Sequence, residues 1–212
     1  MTGGYDDGYG RCGCFCGTTP GSYVQRLAQI TPLAGAKVLD AGTGEGKNAL
    51  YMNQQGAANV LAVDISSLAI RNATQAHGAV PGITWRVADV CAIDLQDAAF
   101  NVVIAYGLFH CLHDVEELTA LVRRLKLATK PTGYHVICAF NDRAQRFNGA
   151  HRGFSPLLVS HANYLHLYAE WAVIAAEDAD LHETHPHELI PHSHSVTRIL
   201  SQKPGNDDDH MP

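Results

Sequence analysis

The stretch "VLDAGTGEGKNA", from Val38 to Ala49, joins a short apolar run to a helical pattern through three glycines. Gly42, Gly44 and Gly46 leave the turn without side chains, so that a ligand can approach the backbone and the N-terminus of the following helix. The spacing is G-x-G-x-G, whereas the dinucleotide pyrophosphate fingerprint is G-x-G-x-x-G. The stretch therefore predicts a strand, a ligand-binding turn and a helix, and by itself it leaves the ligand open.

Apolar runs alternate with amphipathic helical patterns on both sides of this stretch. The predicted strands cover residues 36–42, 59–65, 83–89, 100–106 and 133–140, and the predicted helices cover residues 46–55, 66–77 and 114–129. Ser66 and Asp114 are the expected N-caps of the last two helices. Such alternation builds a parallel sheet with helices on both faces. We therefore predict an α/β fold with a Rossmann-like, doubly wound, mostly parallel sheet.

The alternation of predicted strands and helices ends after Phe140. Residues 141–156 are loop-like, residues 157–171 have helical spacing, and two β-rich segments follow at 171–184 and 195–203. We expect the last two to form an antiparallel hairpin at the edge of the sheet.

Composition narrows the kind of partner. The 212 residues carry a net charge of −6, and the chain is 46% apolar and 17% charged, as is usual for one globular domain. There is no basic block, which argues against a general nucleic-acid binder, and neither a signal peptide nor a membrane span is recognisable. We expect a cytoplasmic protein with reduced cysteines, a monomer or homodimer, whose partner is a small molecule.

Two carboxylates stand at the next strand ends. Asp64 ends the second strand, where it can accept hydrogen bonds from two ribose hydroxyls. Asp89 follows the third strand, where it can meet an adenine amino group. Because successive parallel strands end along one edge of the sheet, these carboxylates and the glycine turn predict one site for a nucleoside-containing ligand.

With these motifs the sequence resembles the class I S-adenosylmethionine-dependent methyltransferases, and within them most closely the small tellurite-resistance type. The resemblance rests on "GTTPGS", "DAGTGEGKNALYM", "VDIS", "KPTGYHVI" and "DLHET". It implies S-adenosylmethionine as the cofactor and a small molecule as the methyl acceptor. By resemblance, the methionine part meets Asp40, Gly42 and Gly44, the ribose and adenine meet Asp64, Ile65, Asp89 and Val90, and the sulfonium lies beside Tyr106.

The resemblance also implies an organisation within the single domain of residues 1–212. Residues 1–31 would form an N-terminal lid and helix, residues 32–141 the cofactor-binding core, and residues 142–203 a helix and hairpin that cover the substrate. His182 falls where the tellurite-resistance type has an active-site histidine, but Glu183 follows it where a basic residue is expected. A basic pocket suited to an oxyanion is therefore not expected.

Three functions remain open. Methyl transfer to a small-molecule acceptor is the function that we expect. The first alternative is a cyclase or lyase that converts S-adenosylmethionine itself into azetidine-2-carboxylate and methylthioadenosine. The second is a non-catalytic module that binds S-adenosylmethionine or a metal. For the reaction we select Asn141, Tyr168, His182 and Ser195 as candidate catalytic residues, and His110 is a further candidate because it follows the fourth strand.

The stretch from His182 to Ser195 holds five histidines. On strands, His185 and His187 would share one face, as would His192 and His194, so that a hairpin could supply zinc ligands. The histidines could instead line the acceptor pocket, where imidazole can handle protons, or they could point into water. We expect no metal.

Cys12, Cys14 and Cys16 lie in the predicted lid. Thiolates at this spacing could hold a soft metal, one thiol could be redox-active, or all three could simply pack the lid. The sequence leaves these alternatives open.

Overall fold

The computed structural model describes residues 5–146, 154–185 and 188–205, without the side chains of residues 185, 188 and 189. The helices are α1 (Asp6–Arg11), α2 (Ser22–Ile30), α3 (Lys47–Gln54), α4 (Ser67–His77), α5 (Val115–Ala128) and α6 (His161–His166). The strands are β1 (Lys37–Ala41), β2 (Asn59–Asp64), β3 (Ile83–Val87), β4 (Phe100–Tyr106), β5 (Thr129–Arg146), β6 (Ala172–His185) and β7 (Glu188–Gln202).

The described strands form one seven-stranded sheet in the order β3-β2-β1-β4-β5-β7-β6. Strands β1 to β5 run parallel, whereas β7 is antiparallel to β5 and β6 is antiparallel to β7. This confirms the predicted fold class and the hairpin at the sheet's edge. Since β1 lies between β2 and β4, the turns after these three strands meet at the middle of one sheet edge.

An apolar core covers each face of the sheet. On one face, Leu27 of α2 and Met52 of α3 pack on the central strands. On the other face, Leu121 and Leu125 of α5, one turn apart, pack with Tyr164 of α6. All five side chains are fully buried, and each contributes about 1.5 to 3 kcal/mol through the apolar surface removed from water. The two cores hold the strand ends in fixed positions.

Both predicted N-caps are confirmed. The Ser66 hydroxyl accepts a hydrogen bond from the Ala69 amide at 3.1 Å, and the Asp114 carboxylate accepts one from the Glu117 amide at 2.8 Å. Each cap satisfies a backbone donor that the first helical turn leaves without a partner.

The hairpin region is longer than the sequence predicts. Residues 141–146, expected as a loop, continue β5, and β7 begins at Glu188 instead of residue 195. Gln145 pairs with His194 and Arg146 with Ser193, beyond a register shift that follows Phe140. These segments have little intrinsic strand preference, and the pairing between β5 and β7 overrides it.

The helix expected at residues 157–171 is shorter at both ends, because α6 begins at His161 and ends at His166. Its start is fixed by Ser160, whose hydroxyl accepts a hydrogen bond from the Asn163 amide at 3.1 Å. Within residues 5–146, 154–185 and 188–205, no helix has both the length and the apolar character needed to cross a membrane.

Candidate active site

A cavity of about 560 Å³ opens at the carboxyl ends of the parallel strands. Its wall takes residues from the turns after β1, β2, β3 and β4, from the outer part of β5, from the hairpin and from the N-terminal segment. Small-molecule sites in proteins have volumes of roughly 300 to 1,000 Å³, and in doubly wound folds they lie at this edge of the sheet. The cavity is therefore the candidate active site.

The glycine turn forms one end of the cavity. Gly44 has a φ of +56° and Gly46 a φ of +84°, which are left-handed conformations that favour glycine. A Cβ atom at Gly46 would also run into the ring of Trp85, and one at Gly44 would lie 3.0 Å from the Tyr9 hydroxyl. The glycines are thus required both by the backbone of the turn and by the residues packed over it.

Asp64 links the ends of β1 and β2. Its Oδ2 accepts a hydrogen bond from the Gly44 amide and its Oδ1 one from the Ser66 amide, both at 2.8 Å. Burial raises the pKa of Asp64 above its ordinary value. An ionised carboxylate has about four acceptor positions, so two further hydroxyl donors can still bind. Asp64 and the adjacent Ile65 both line the cavity.

The turn after β3 contributes Asp89 and Val90 to the same wall. Asp89 Oδ1 accepts a hydrogen bond from the Cys91 amide at 2.8 Å, which fixes the carboxylate at the start of the turn. Val90 is buried and packs into the core beneath it. This pair gives the wall one polar and one apolar contact side by side.

Tyr106, at the end of β4, lines the cavity, and its ring is fixed by Gly21. A Cβ atom at Gly21 would lie 2.5 Å from ring carbons of Tyr106, so only glycine allows this approach. Burial raises the pKa of the Tyr106 hydroxyl to about 12, and the hydroxyl is therefore protonated at neutral pH.

Asp40 lies behind the glycine turn and, unlike the other seven residues expected to hold the cofactor, is not part of the described cavity wall. Its side chain is buried, and Oδ2 accepts a hydrogen bond from the Thr43 hydroxyl at 2.6 Å. Burial raises the pKa of Asp40 to about 6. Within the described part of the chain, Oδ1 has no hydrogen-bond partner. Asp40 therefore shapes the turn from below.

The N-terminal segment covers the cavity. Tyr5, Tyr9 and Phe15 line it and pack together as a small aromatic cluster against α4. The Tyr9 carbonyl accepts a hydrogen bond from the Asn72 amide nitrogen at 2.9 Å, which ties the segment to α4. The sequence analysis missed both tyrosines; the i, i+4 spacing of Tyr5 and Tyr9 in "YDDGY" was the available signal.

The cysteines of this segment separate into two groups. Cys12 Sγ and Cys14 Sγ lie 3.3 Å apart and are not among the described wall residues. Cys16 lines the cavity, and its amide donates to Glu45 at 3.3 Å.

The other end of the cavity is mainly aromatic and apolar. Its described wall includes Phe140, Phe154, Leu181 and Val196, with His110 and Glu183 as polar neighbours. The His110 ring stacks on Phe140, with ring centroids 3.9 Å apart, and its Nδ1 lies 3.2 Å from the Phe140 amide. Because an amide can only donate, Nδ1 accepts, and the proton of the neutral ring is on Nε2.

The four candidate catalytic residues do not come together at the cavity, and none is among its described wall residues. Asn141 donates to Asp178 at 2.9 Å, Ser195 donates to Asp180 at 2.8 Å, and His182 is exposed. Side chains alternate along a strand, and the cavity takes Phe140, Leu181, Glu183 and Val196. The neighbouring residues Asn141, His182 and Ser195 consequently belong to the opposite face of the sheet.

Tyr168, the fourth of these residues, lies in the core under α5 and α6. Its hydroxyl is 3.0 Å from Nδ1 of His135, and both side chains are fully buried. Tyr168 is therefore placed to stabilise the fold rather than to contact a ligand.

The expected shared face of His192 and His194 is confirmed, with ring centroids 4.9 Å apart and both rings buried. His187 lies outside the described residues, and the side chain of His185 is not described.

Residues 38–133 match a family model described as a methyltransferase domain. Comparison with curated proteins gives no match. A methyltransferase from Methanosarcina mazei has a TM-score of 0.70 at 17% identity, over 85% of this chain and 98% of that one. TehB from Haemophilus influenzae has a TM-score of 0.68 at 20% identity, over 86% and 62%. The N-methyltransferase NodS from Bradyrhizobium japonicum, solved with S-adenosyl-L-homocysteine, has a TM-score of 0.66 at 14% identity, over 86% and 85%.

These similarities confirm the fold class as that of S-adenosylmethionine-dependent methyltransferases. The matched methyltransferase domain spans the glycine turn, Asp64, Asp89 and Tyr106, and it indicates S-adenosylmethionine as the cofactor. The likeness to TehB is of the same degree as the likeness to the other two structures, so a closer relation to the tellurite-resistance type stays a prediction.

Proposed function

We propose that this protein transfers the methyl group of S-adenosylmethionine to a small, mainly apolar acceptor. The observation that carries the proposal is the division of one cavity into two ends. Gly44, Asp64 and Asp89, at the carboxyl ends of β1, β2 and β3, lie at one end, and an aromatic and apolar chamber around Phe140 of β5, on the other side of β4, lies at the other. A cofactor held at the first end would direct its reactive group towards the second.

The cofactor end fits the groups of S-adenosylmethionine. Asp64 has acceptor positions left for the ribose hydroxyls, and Asp89 is fixed where it could meet the adenine amino group. When bound, the cofactor supplies a methyl group on a positively charged sulfur. Tyr106, with its ring held against Gly21, would lie at the boundary between the two ends.

The acceptor end favours a ligand with an apolar body. Phe140, Phe154, Leu181 and Val196 give it apolar walls. Direct displacement requires the acceptor's lone pair to lie in line with the bond from sulfur to the methyl carbon. Rigid walls around a small acceptor would limit it to that orientation, and the N-terminal segment would exclude competing water.

His110 positions the cover of this chamber. Its Nδ1 accepts the Phe140 amide, so Nε2 carries the proton and donates to the Tyr5 hydroxyl at 2.9 Å. In this arrangement the neutral ring acts as a donor, and we assign it the role of holding Tyr5 over the cavity.

The cyclase alternative receives less support from the geometry. It needs side chains that hold the amino group of a folded cofactor, and the four selected for this are all outside the described cavity wall. The tellurite-resistance type is not supported by His182 either, since that side chain is exposed.

Incubation with trideuteromethyl-labelled S-adenosylmethionine and a pool of low-molecular-weight metabolites tests the proposal. We expect mass spectrometry to find a metabolite that gains one labelled methyl group. Phe140→Ala should reduce this transfer while the cofactor still binds, and Leu158→Ala, at a partly exposed position outside the described cavity wall, should not. Cofactor binding without labelling of any metabolite would contradict methyl transfer to a small acceptor.

A further inference from the structure

Three side chains of the hairpin converge beside the acceptor end of the cavity. His192 and His194 lie two residues apart on β7 and so share one face of the strand, and Glu183 pairs with His192 across the hairpin. Nε2 of each histidine lies 3.4 Å from Oε1 of Glu183. Both imidazole side chains are fully buried, and one nitrogen or oxygen atom from each of the three residues lies within 4.8 Å of the others.

The tautomer of His192 is fixed by its other ring nitrogen. Nδ1 lies 2.9 Å from the carbonyl oxygen of Ile190, which can only accept a hydrogen bond. Nδ1 therefore carries the proton of the neutral ring, and Nε2 directs a lone pair towards Glu183.

His194 is fixed in the same way by Gln145. The Gln145 amide nitrogen donates to the carbonyl oxygens of Asn141 at 2.8 Å and Ser195 at 3.0 Å, so its Oε1 is the atom that faces His194. His194 Nδ1 lies 3.1 Å from this oxygen and donates to it. The Nε2 lone pair of His194 is thereby also directed towards Glu183.

Two imidazole lone pairs and a carboxylate oxygen thus face one another at a largely buried position. A cation between the three groups would interact favourably with all of them. Two histidines and one carboxylate are a recurrent ligand set for zinc and related divalent ions, and metal-binding histidines usually donate their second N–H to a carbonyl or carboxylate. The Ile190 carbonyl and the Gln145 amide oxygen provide such acceptors.

We propose that Glu183, His192 and His194 form a binding site for a divalent ion of the zinc class. This replaces the expectation of no metal, and it does not depend on the proposed methyl transfer. Glu183 lines the cavity, and the His194 ring stacks on Phe140 with ring centroids 4.2 Å apart. Three protein ligands leave a coordination position for a water molecule or for an oxygen, nitrogen or sulfur atom of the acceptor.

The full-length protein, stripped of metal with a chelator and dialysed against Zn²⁺, tests the site. We expect about one equivalent of Zn²⁺ per chain by elemental analysis, and Co²⁺ in its place should give visible absorption bands. Glu183→Gln and His194→Ala should each abolish this uptake. Gln145→Met removes the acceptor behind His194 together with the two hydrogen bonds that the Gln145 amide donates, and it should weaken binding roughly tenfold.

Two controls separate the site from other histidines. His166→Ala, at an exposed position on α6, should leave the uptake unchanged, and so should the double variant His185→Ala, His187→Ala. Circular dichroism checks that each variant is folded. If His194→Ala does not fold, Glu183→Gln, which preserves the shape of the side chain, provides the test instead.

Wild-type protein that takes up no Zn²⁺ would overturn the proposal. Loss of uptake in the double variant would also overturn it, since the metal would then depend on His185 and His187. None of these readouts requires methyl transfer, so the failure of one proposal is distinguishable from the failure of the other.

Discussion

The hydroxyl of Tyr5 lies 2.9 Å from Nε2 of His110, a residue 105 positions further along the chain. Tyr5 comes directly before α1, and His110 follows β4. Burial raises the pKa of the Tyr5 hydroxyl well above its ordinary value, so the hydroxyl is neutral at physiological pH. The bond connects the segment that covers the cavity to the sheet edge that forms its floor.

Tyr5→Phe removes this bond and should loosen the cover. Because a neutral hydrogen bond contributes about 1 kcal/mol, we expect cofactor dissociation to be roughly 5-fold faster, as measured by stopped-flow fluorescence. Tyr51→Phe, on α3 and outside the described cavity wall, is the matched control. Equal dissociation rates in wild type and Tyr5→Phe would show that the segment does not retain the cofactor.

Asp64→Ala should weaken cofactor binding. The ribose hydroxyls would lose a charged acceptor, at a cost of about 2 to 3 kcal/mol, or roughly 30- to 150-fold in Kd. Calorimetric titration with S-adenosylmethionine measures this change. Asp97→Ala, an exposed aspartate outside the described cavity wall, should bind like wild type. Unchanged affinity in Asp64→Ala would remove Asp64 from the cofactor site.

Tyr168→Phe should reduce stability and leave the reaction intact. The Thr129 hydroxyl donates to the Leu125 carbonyl at 2.7 Å and so accepts from His135 Nε2, which leaves His135 Nδ1 to accept from Tyr168. Burial lowers the pKa of His135 to about 3, so this ring stays neutral. Removing its donor should cost about 1 to 3 kcal/mol in urea unfolding. Normal stability of Tyr168→Phe together with lost turnover would instead show that Tyr168 takes part in the reaction.

Much of the cofactor end was predictable from local sequence. The parallel strands are short apolar runs because both faces of such a sheet are buried. The glycine turn, Asp64 and Asp89 follow these runs directly, so their meeting at one sheet edge follows from the topology alone. Tyr5 could not be found in this way, because its place over the cavity depends on contacts with α4 and His110.

Whether the catalytic candidates on the outer strands reach the cavity depends on the face of the sheet that each side chain occupies. A shift of one residue exchanges the two faces of a strand. Asn141 follows Phe140 and Ser195 precedes Val196, and in both pairs the cavity takes the apolar member. At this point the register is that of Phe140 paired with Val196, which a single sequence read locally does not reveal.

Asp40 should make stability depend on pH. Its pKa is raised from an ordinary value of 3.8 to about 6. Between these values the unfolded chain has lost the proton while the native protein keeps it, so stability falls as the pH rises. Relative to Asp40→Asn, wild type should lose about 2 kcal/mol of unfolding free energy between about pH 4.5 and about pH 7.5. A difference between the two proteins that is the same at both pH values would contradict the raised pKa.

The most direct test of methyl transfer is to identify the adenosine-containing product that forms with and without an acceptor. The purified protein is incubated with S-adenosylmethionine alone and, in parallel, with the low-molecular-weight metabolite pool. Ordered water is a poor nucleophile, so the protein incubated with S-adenosylmethionine alone should release almost no product. When the metabolite pool is added, it should release S-adenosylhomocysteine. Release of methylthioadenosine without the pool, above the spontaneous background, would contradict methyl transfer and show that the cofactor itself is the substrate.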